Sequence, residues 1–164
     1  VAALATAAVG VVVSPAVAQV PSATRAERAL VQLINQARAK EGLRPLRLCK
    51  PLSQAARAHS VEMIQRRYFA HRSISGESQA ARVVRFGYRR AGYTSWSTGE
   101  TLGFASGSAG SPRGMLGLWL RSPAHRALLL GRAWRDIGVG CATGTFRGCS
   151  NVTVWTVDLG RRSQ

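Results

Sequence analysis

The sequence predicts an α+β domain. Stretches with helical periodicity fill its first half. Strand-like alternation closes it, with a late helix in between. The composition is that of a single globular unit. The 164 residues are 46% hydrophobic and 18% charged, with Gly 17 and Pro 6. This excludes wholesale disorder, collagen and coiled coil, and a chain this long buries a core without needing disulfides. Helices first, then strands mixed with a helix, imply an antiparallel sheet covered by helices.

The elements follow in order. Residues 1–18 are apolar, small and uncharged, and Ala16-Val17-Ala18 before Gln19 is a small-x-small cleavage pattern. Pro15 interrupts the run before it reaches the ~20 residues of a membrane helix. We expect a signal-peptide remnant over 1–18, a linker over 19–25, a folded domain over 26–160 and a basic tail over 161–164. Ser22 or Thr24 caps a first helix carrying Leu30, Leu33, Ile34 and Ala37, which Gly42 ends. Pro51 opens a second, with Leu52, Ala55, Ala56, His59 and Met63 on its apolar face. His59 on that face reads as a hydrogen-bonded core histidine. A third helix is expected from Glu77 to Ala91, stopped by Gly92, then a strand from Thr98 to Ala105. Ser111-Pro112 starts a helix with Met115, Leu116, Trp119 and Leu120 inward, and a further helical turn follows from Ala124 to Leu130. Ile137-Val139-Cys141 and Val152-Val154-Thr156 alternate like paired strands around a 143–150 turn.

The charge is lopsided, with Lys+Arg 23 against Asp+Glu 7, a formal net of +16. Such a balance favours polyanionic partners such as an anionic cell-envelope component. Arg82, Arg85 and Arg89 fall at i, i+3 and i+7 and would share a helix face. Arg66, Arg67 and Arg90 extend that candidate polyanion surface. Nucleic acid is not expected, since few aromatics stand near these arginines for base stacking. Export would put Cys49, Cys141 and Cys149 in an oxidising compartment. A Cys141–Cys149 bridge across the turn, leaving Cys49 free, is one pairing; Cys49 with either partner is another, and spacing does not choose.

Acids are scarce, so each is informative. Glu100 follows Gly99 in a strand-like run, where an unpaired carboxylate is costly to bury. His71 and His125 are its candidate partners, each where a helix meets a loop. Two imidazoles and a carboxylate are donors for Zn or another divalent cation, or an acid–base set. Trp96, beside Glu100 in sequence, is a candidate cleft-lining residue. There is no HExxH and no nucleophile elbow.

Four ordered blocks are AARAHSVEMIQRRYFAH (55–71), GETL (99–102), WLRSPAHRALLLGRAWRDIGVG (119–140) and VWTVDLG (154–160). Together they resemble the CAP superfamily of cysteine-rich secretory, antigen 5 and pathogenesis-related proteins, in its bacterial SCP-like extracellular branch. The resemblance spans about Ala26 to Gly160 and implies an α-β-α sandwich and secretion. It also implies a cleft where two histidines and acids converge. His71 matches the family's F-x-H histidine, Glu100 its G-E-N glutamate and His125 its S-P-G-H-R histidine. Thr101 and Ala124 replace the usual Asn and Gly, and the segment Trp119 to Ser122 lacks the second acid. A metal site, if present, is therefore expected to be weak. The function expected is a secreted binding module for a lipid or cell-envelope component, with the His/Glu cleft as a metal candidate. The alternatives are a metal-assisted hydrolase on peptide or envelope substrate, and a polyanion-binding surface protein.

Overall fold

The structure, a computed structural model, describes residues 23–164. The expected leader and most of the linker lie outside the described residues. The chain runs through α1 (Arg25–Lys40), β1 (Arg47–Leu48), α2 (Lys50–Arg66), α3 (Gln79–Arg85) and β2 (Ser95–Ser106). A 3-10 turn (Gly107–Gly110), α4 (Pro112–Arg121), α5 (Pro123–Leu129), β3 (Asp136–Phe146) and β4 (Cys149–Ser163) complete it.

The helix starts are set by local chemistry. Thr24 and Glu27 form a reciprocal capping box at α1. Ser111 caps α4 by accepting from Gly114 N, with Pro112 in its first turn. α3 is shorter than the spacing predicts. It stops at Arg85 and the chain turns at Gly87, whose φ of 100° suits glycine. The turn drops Tyr88 into the core, where its hydroxyl donates to Asp136 Oδ2 at 2.9 Å. That distant anchor, not Gly92, ends the helix.

The four strands stand in the order β1-β3-β4-β2. β2–β4 and β3–β4 are antiparallel, but β1 pairs with β3 in parallel, so the sheet is mixed where a purely antiparallel one was expected. β4 also continues through Arg161 and Arg162, which were expected to begin a tail. The two strands of the hairpin extend further into the turn than expected. Only Arg147 and Gly148 remain between Phe146 and Cys149, both at positive φ as a two-residue hairpin turn requires.

Helices cover both faces, giving the α-β-α sandwich. On one face α1, α4 and α5 bury Leu30, Ile34, Met115, Trp119 and Leu129 against Ile137, Val139, Trp155, Val157 and Leu159. On the other, α2 lies across β3 so closely that a Cβ on Gly138 or Gly140 would meet the backbone of Leu52 and Ser53, or of Ala56 and Arg57. Burial of these two apolar layers stabilises the domain at roughly 25 cal/mol per Å². No helix among the described residues is long and apolar enough to cross a membrane.

The expected Cys141–Cys149 bridge is absent: Cys49, Cys141 and Cys149 are all free thiols. Cys149 lies opposite Phe146, whereas Cys141 lies opposite Trp155. The five residue-to-residue steps from Cys141 to Phe146 span roughly 17 Å of strand, far beyond the ~7 Å that a disulfide bridges.

Candidate functional site

The segment that brings His71 to the sheet is held by buried polar contacts. α2 ends at Arg67 in the left-handed conformation, and the chain then folds back along its own helix. His59, fully buried, donates from Nε2 to Ala70 O at 2.8 Å. Burial lowers its pKa, aided by the positive charge of Arg82, so it is a neutral structural histidine as expected. Tyr68 donates to Glu62 at 2.7 Å on the same side. Phe69 meets Phe104 edge-on, with ring centres 4.9 Å apart. His71 thereby arrives beside β2, the outer strand of the sheet.

His71 and Glu100 come together as expected. His71 Nδ1 donates to Glu100 Oε1 at 2.7 Å. This bond raises the imidazole's pKa; partial burial opposes it. The histidine side chain is 66% exposed and the glutamate 2%. A carboxylate that buried needs a fixed cation, and it has one. Arg82, itself 1% exposed, pairs with Glu100 Oε2 and reaches His71 O and Ser73 Oγ at 3.3 Å. Next along the face, Gln79 donates to Asp158 Oδ1 at 2.9 Å, and Thr98 donates to Gln79 Oε1 at 2.8 Å. Asp158 is fully buried and sits directly across from Glu100 in the β2–β4 register. Burial, and then the charge of Glu100, push its pKa well above the ordinary value.

His125 does not join this group. Its Nδ1 shares a 2.8 Å hydrogen bond with Ser122 Oγ, the residue that begins α5. It has no hydrogen bond or ion pair with His71 or Glu100. The alternation of β2 explains the separation. Gly99 faces Leu128 and Trp134 on the α5 side, so Glu100 faces the other way. The donors therefore do not fit a metal ion. Both oxygens of Glu100 are taken, one by a guanidinium. Among the described residues no group of three or more His, Cys, Asp or Glu is placed to hold a metal.

The proposed arginine face also dissolves. Arg82 is buried in the Glu100 pair. Arg85 makes a two-pronged pair with Glu77, at 2.7 and 2.9 Å. Arg89 lies beyond the end of α3, so the helical spacing does not hold. Trp96 is half-buried and donates to Tyr88 O at 3.2 Å; it packs at the rim of the Leu52–Val83–Tyr88 cluster instead of lining a cleft with His71.

The described cavities lie elsewhere. One is a groove of about 310 Å³ between α1 and α4, with Leu33, Ala37, Leu116, Leu120 and Leu130 along it. Lys40, Glu41, Arg113 and Arg126 also line it, Arg126 paired with Glu41. The other is an open shelf of about 420 Å³ beside the start of α4. Neither includes His71, Glu100 or His125. The sequence does contain a signal for the groove. Leu33 and Ala37 flank the core stripe of Leu30 and Ile34, so the apolar face of α1 is wider than the sheet it covers. Arg82 and Asp158 left a fainter trace: too few acids for so many arginines, with one acid in an apolar strand.

A three-layer domain with a mixed central sheet, a His–Glu pair on its outer strand and a helical groove on the opposite layer defines the class. The chain belongs to the CAP (cysteine-rich secretory protein) family, whose model matches residues 31–159. It is 34% identical over 123 residues to YkwD, an uncharacterized protein of Bacillus subtilis strain 168. That match takes in 73% of this chain but only 44% of YkwD, so the chain spans less than half of that relative's length. The fold is shared with an outer surface protein of Borrelia burgdorferi, at a TM-score of 0.68 and 20% identity over 83% of this chain and 92% of that one. It is also shared with an extracellular SCP-domain protein of Bacillus anthracis, at a TM-score of 0.65 and 24% identity, covering 82% and 40% of the two chains.

Proposed function

We propose that this chain is an extracellular binding module whose ligand is an amphiphile seated between α1 and α4. The observation that carries the proposal is the groove itself. Five aliphatic side chains line it, together with Lys40, Glu41, Arg113 and Arg126. A pocket of this size, mainly apolar with a few polar groups, suits a small ligand with an apolar body and a polar tip. The extracellular part is supported by the descriptions of related structures as an outer surface protein and an extracellular protein.

In this reading the His71–Glu100–Arg82 cluster is a latch, not a reaction centre. Glu100 ties α3, β2 and the segment after α2 to one buried charge pair. The domain then needs no divalent ion to hold its ligand.

The test is equilibrium binding of a fluorescent single-chain fatty acyl probe to the protein and to Ala37→Phe, which narrows the groove at its half-buried wall. Saturable binding weakened about tenfold or more in a variant of unchanged thermal stability is the expected result. Equal binding by both proteins, or none by either, removes the groove as the site. A Zn²⁺ titration in the same series should show no one-to-one binding that is lost in His71→Ala. If such binding appears, the metal-centre alternative replaces the latch.

A further inference from the structure

We infer that the shelf beside α4 is a headgroup subsite, and that the ligand is a single-chain amphiphile bearing a phosphate monoester. The inference rests on the groove proposed above and specifies what it holds. Ser108, Ser111, Arg113, Gly117, Leu118 and Arg121 line the shelf. Arg113 and Gly117 line the groove as well, so the two cavities meet across α4. Gly117 is the saddle between them. A Cβ there would meet Arg121 Nη1 at 3.6 Å, so the guanidinium of Arg121 stands over the glycine where the two cavities join.

The two cavities differ in chemistry. The groove is mainly aliphatic, whereas the shelf presents two guanidiniums and the hydroxyl of Ser108, that of Ser111 being held by the α4 cap. No acid among the described residues neutralises those guanidiniums. Of the seven acids, five hold an arginine elsewhere, in the pairs of Glu27, Glu41, Glu77, Glu100 and Asp136. Glu62 accepts from Tyr68, and Asp158 is fully buried. Residues 1–22 contain no acid. Arg113 and Arg121 have no hydrogen bond or ion pair among the described residues. Two unneutralised cations at one open volume call for more than one negative charge. A phosphate monoester supplies roughly 1.5 to 2 charges at neutral pH, and guanidinium matches its oxygens; a carboxylate supplies only one charge. A chain in the groove then places its head on the shelf by crossing at Gly117.

The experiment compares three probes at low salt: a lysophosphatidic acid, the monoacylglycerol of the same chain, and glycerol phosphate. The protein is expected to bind the lysophosphatidic acid about tenfold or more tightly than the monoacylglycerol. Arg121→Gln, on the exposed side of α4, should bring that ratio close to one. Arg89→Gln removes the same charge away from the shelf and should preserve the ratio. Equal affinities in the unmodified protein would overturn the headgroup subsite while the groove stands. Loss of the ratio in Arg89→Gln as well would reduce the effect to net charge and overturn it too. Glycerol phosphate binding as tightly as the lysophosphatidic acid would sever the shelf from the groove. Failure of both amphiphiles to bind would remove the groove proposal and this one with it.

Discussion

At Asp158 burial ties the stability of the fold to pH. The residue is fully buried, and its Oδ2 has no hydrogen-bond partner among the described residues. Glu100, across the β2–β4 ladder, adds a like charge, and burial is the larger influence. Both raise the pKa, so the folded state binds its proton more tightly than the unfolded chain does. Below the unfolded value of about 3.9 both states are protonated and the residue is neutral to stability. As pH rises above that value, the unfolded chain ionises first and stability falls, until the raised folded pKa is passed. Asp158→Asn keeps an acceptor for Gln79 and cannot ionise. Its thermal stability relative to the parent should therefore increase from about pH 4 toward neutrality. Melting curves of both proteins across that range check it; a constant gap would mean Asp158 is ionised in the fold. His71 and Glu100 could be paired from sequence because so few groups were available to each other. Arg82 could not, because a lone arginine on a short helix looks solvated until β2 and the segment after α2 close over it.

At the scale of the element, approach distance decides what a glycine does. Gly138 and Gly140 let α2 lie on β3, and a Cβ at either would strike helix backbone, which cannot swing aside as a side chain can. Gly138→Ala should cost about 3 kcal/mol, the upper end of ordinary overpacking. A Cβ on Gly117, inside α4, would make only an ordinary contact with the flexible end of Arg121, at 3.6 Å. Gly117→Ala should gain about 0.5–1 kcal/mol through helix propensity alone. Urea unfolding of the two variants gives both signs in one experiment; similar values for the two would mean that α2 stands off the sheet. The same contrast between local and distant causes explains which elements were legible. Thr24 with Glu27 and Ser111 with Pro112 announce helix starts within four residues. The end of α3 depends on Tyr88 reaching Asp136, 48 residues away, so the local pattern puts the stop at Gly92 and not at Gly87. The Cys141–Cys149 bridge fails for a related reason. A two-residue turn at Arg147-Gly148 carries Cys141 well down the ladder, and turn length was the quantity the glycine-rich stretch left open.

For the whole molecule, the governing quantity is a formal charge of +16 on a domain whose acids are nearly all engaged. Two opposing effects act when salt is added. Screening weakens exposed pairs such as Arg85–Glu77 and Arg126–Glu41, each worth about 0–1 kcal/mol. Screening also relieves repulsion among the many arginines that have no acid within reach, and this repulsion acts over the whole surface. The buried pair of Arg82 and Glu100 is screened little, so it does not enter the balance. With a handful of exposed pairs set against so large a net charge, repulsion is the larger effect. The melting temperature should therefore rise as ionic strength increases from about 0.01 M to about 0.15 M, over which the screening length shrinks from about 30 Å to about 8 Å. Phosphate, which the shelf would take up directly, should stabilise more than chloride at equal ionic strength, and Arg121→Gln should narrow that difference. Scanning calorimetry in matched chloride and phosphate buffers separates the two contributions. A melting temperature that falls with chloride would mean that the exposed ion pairs, not the repulsion, govern this surface.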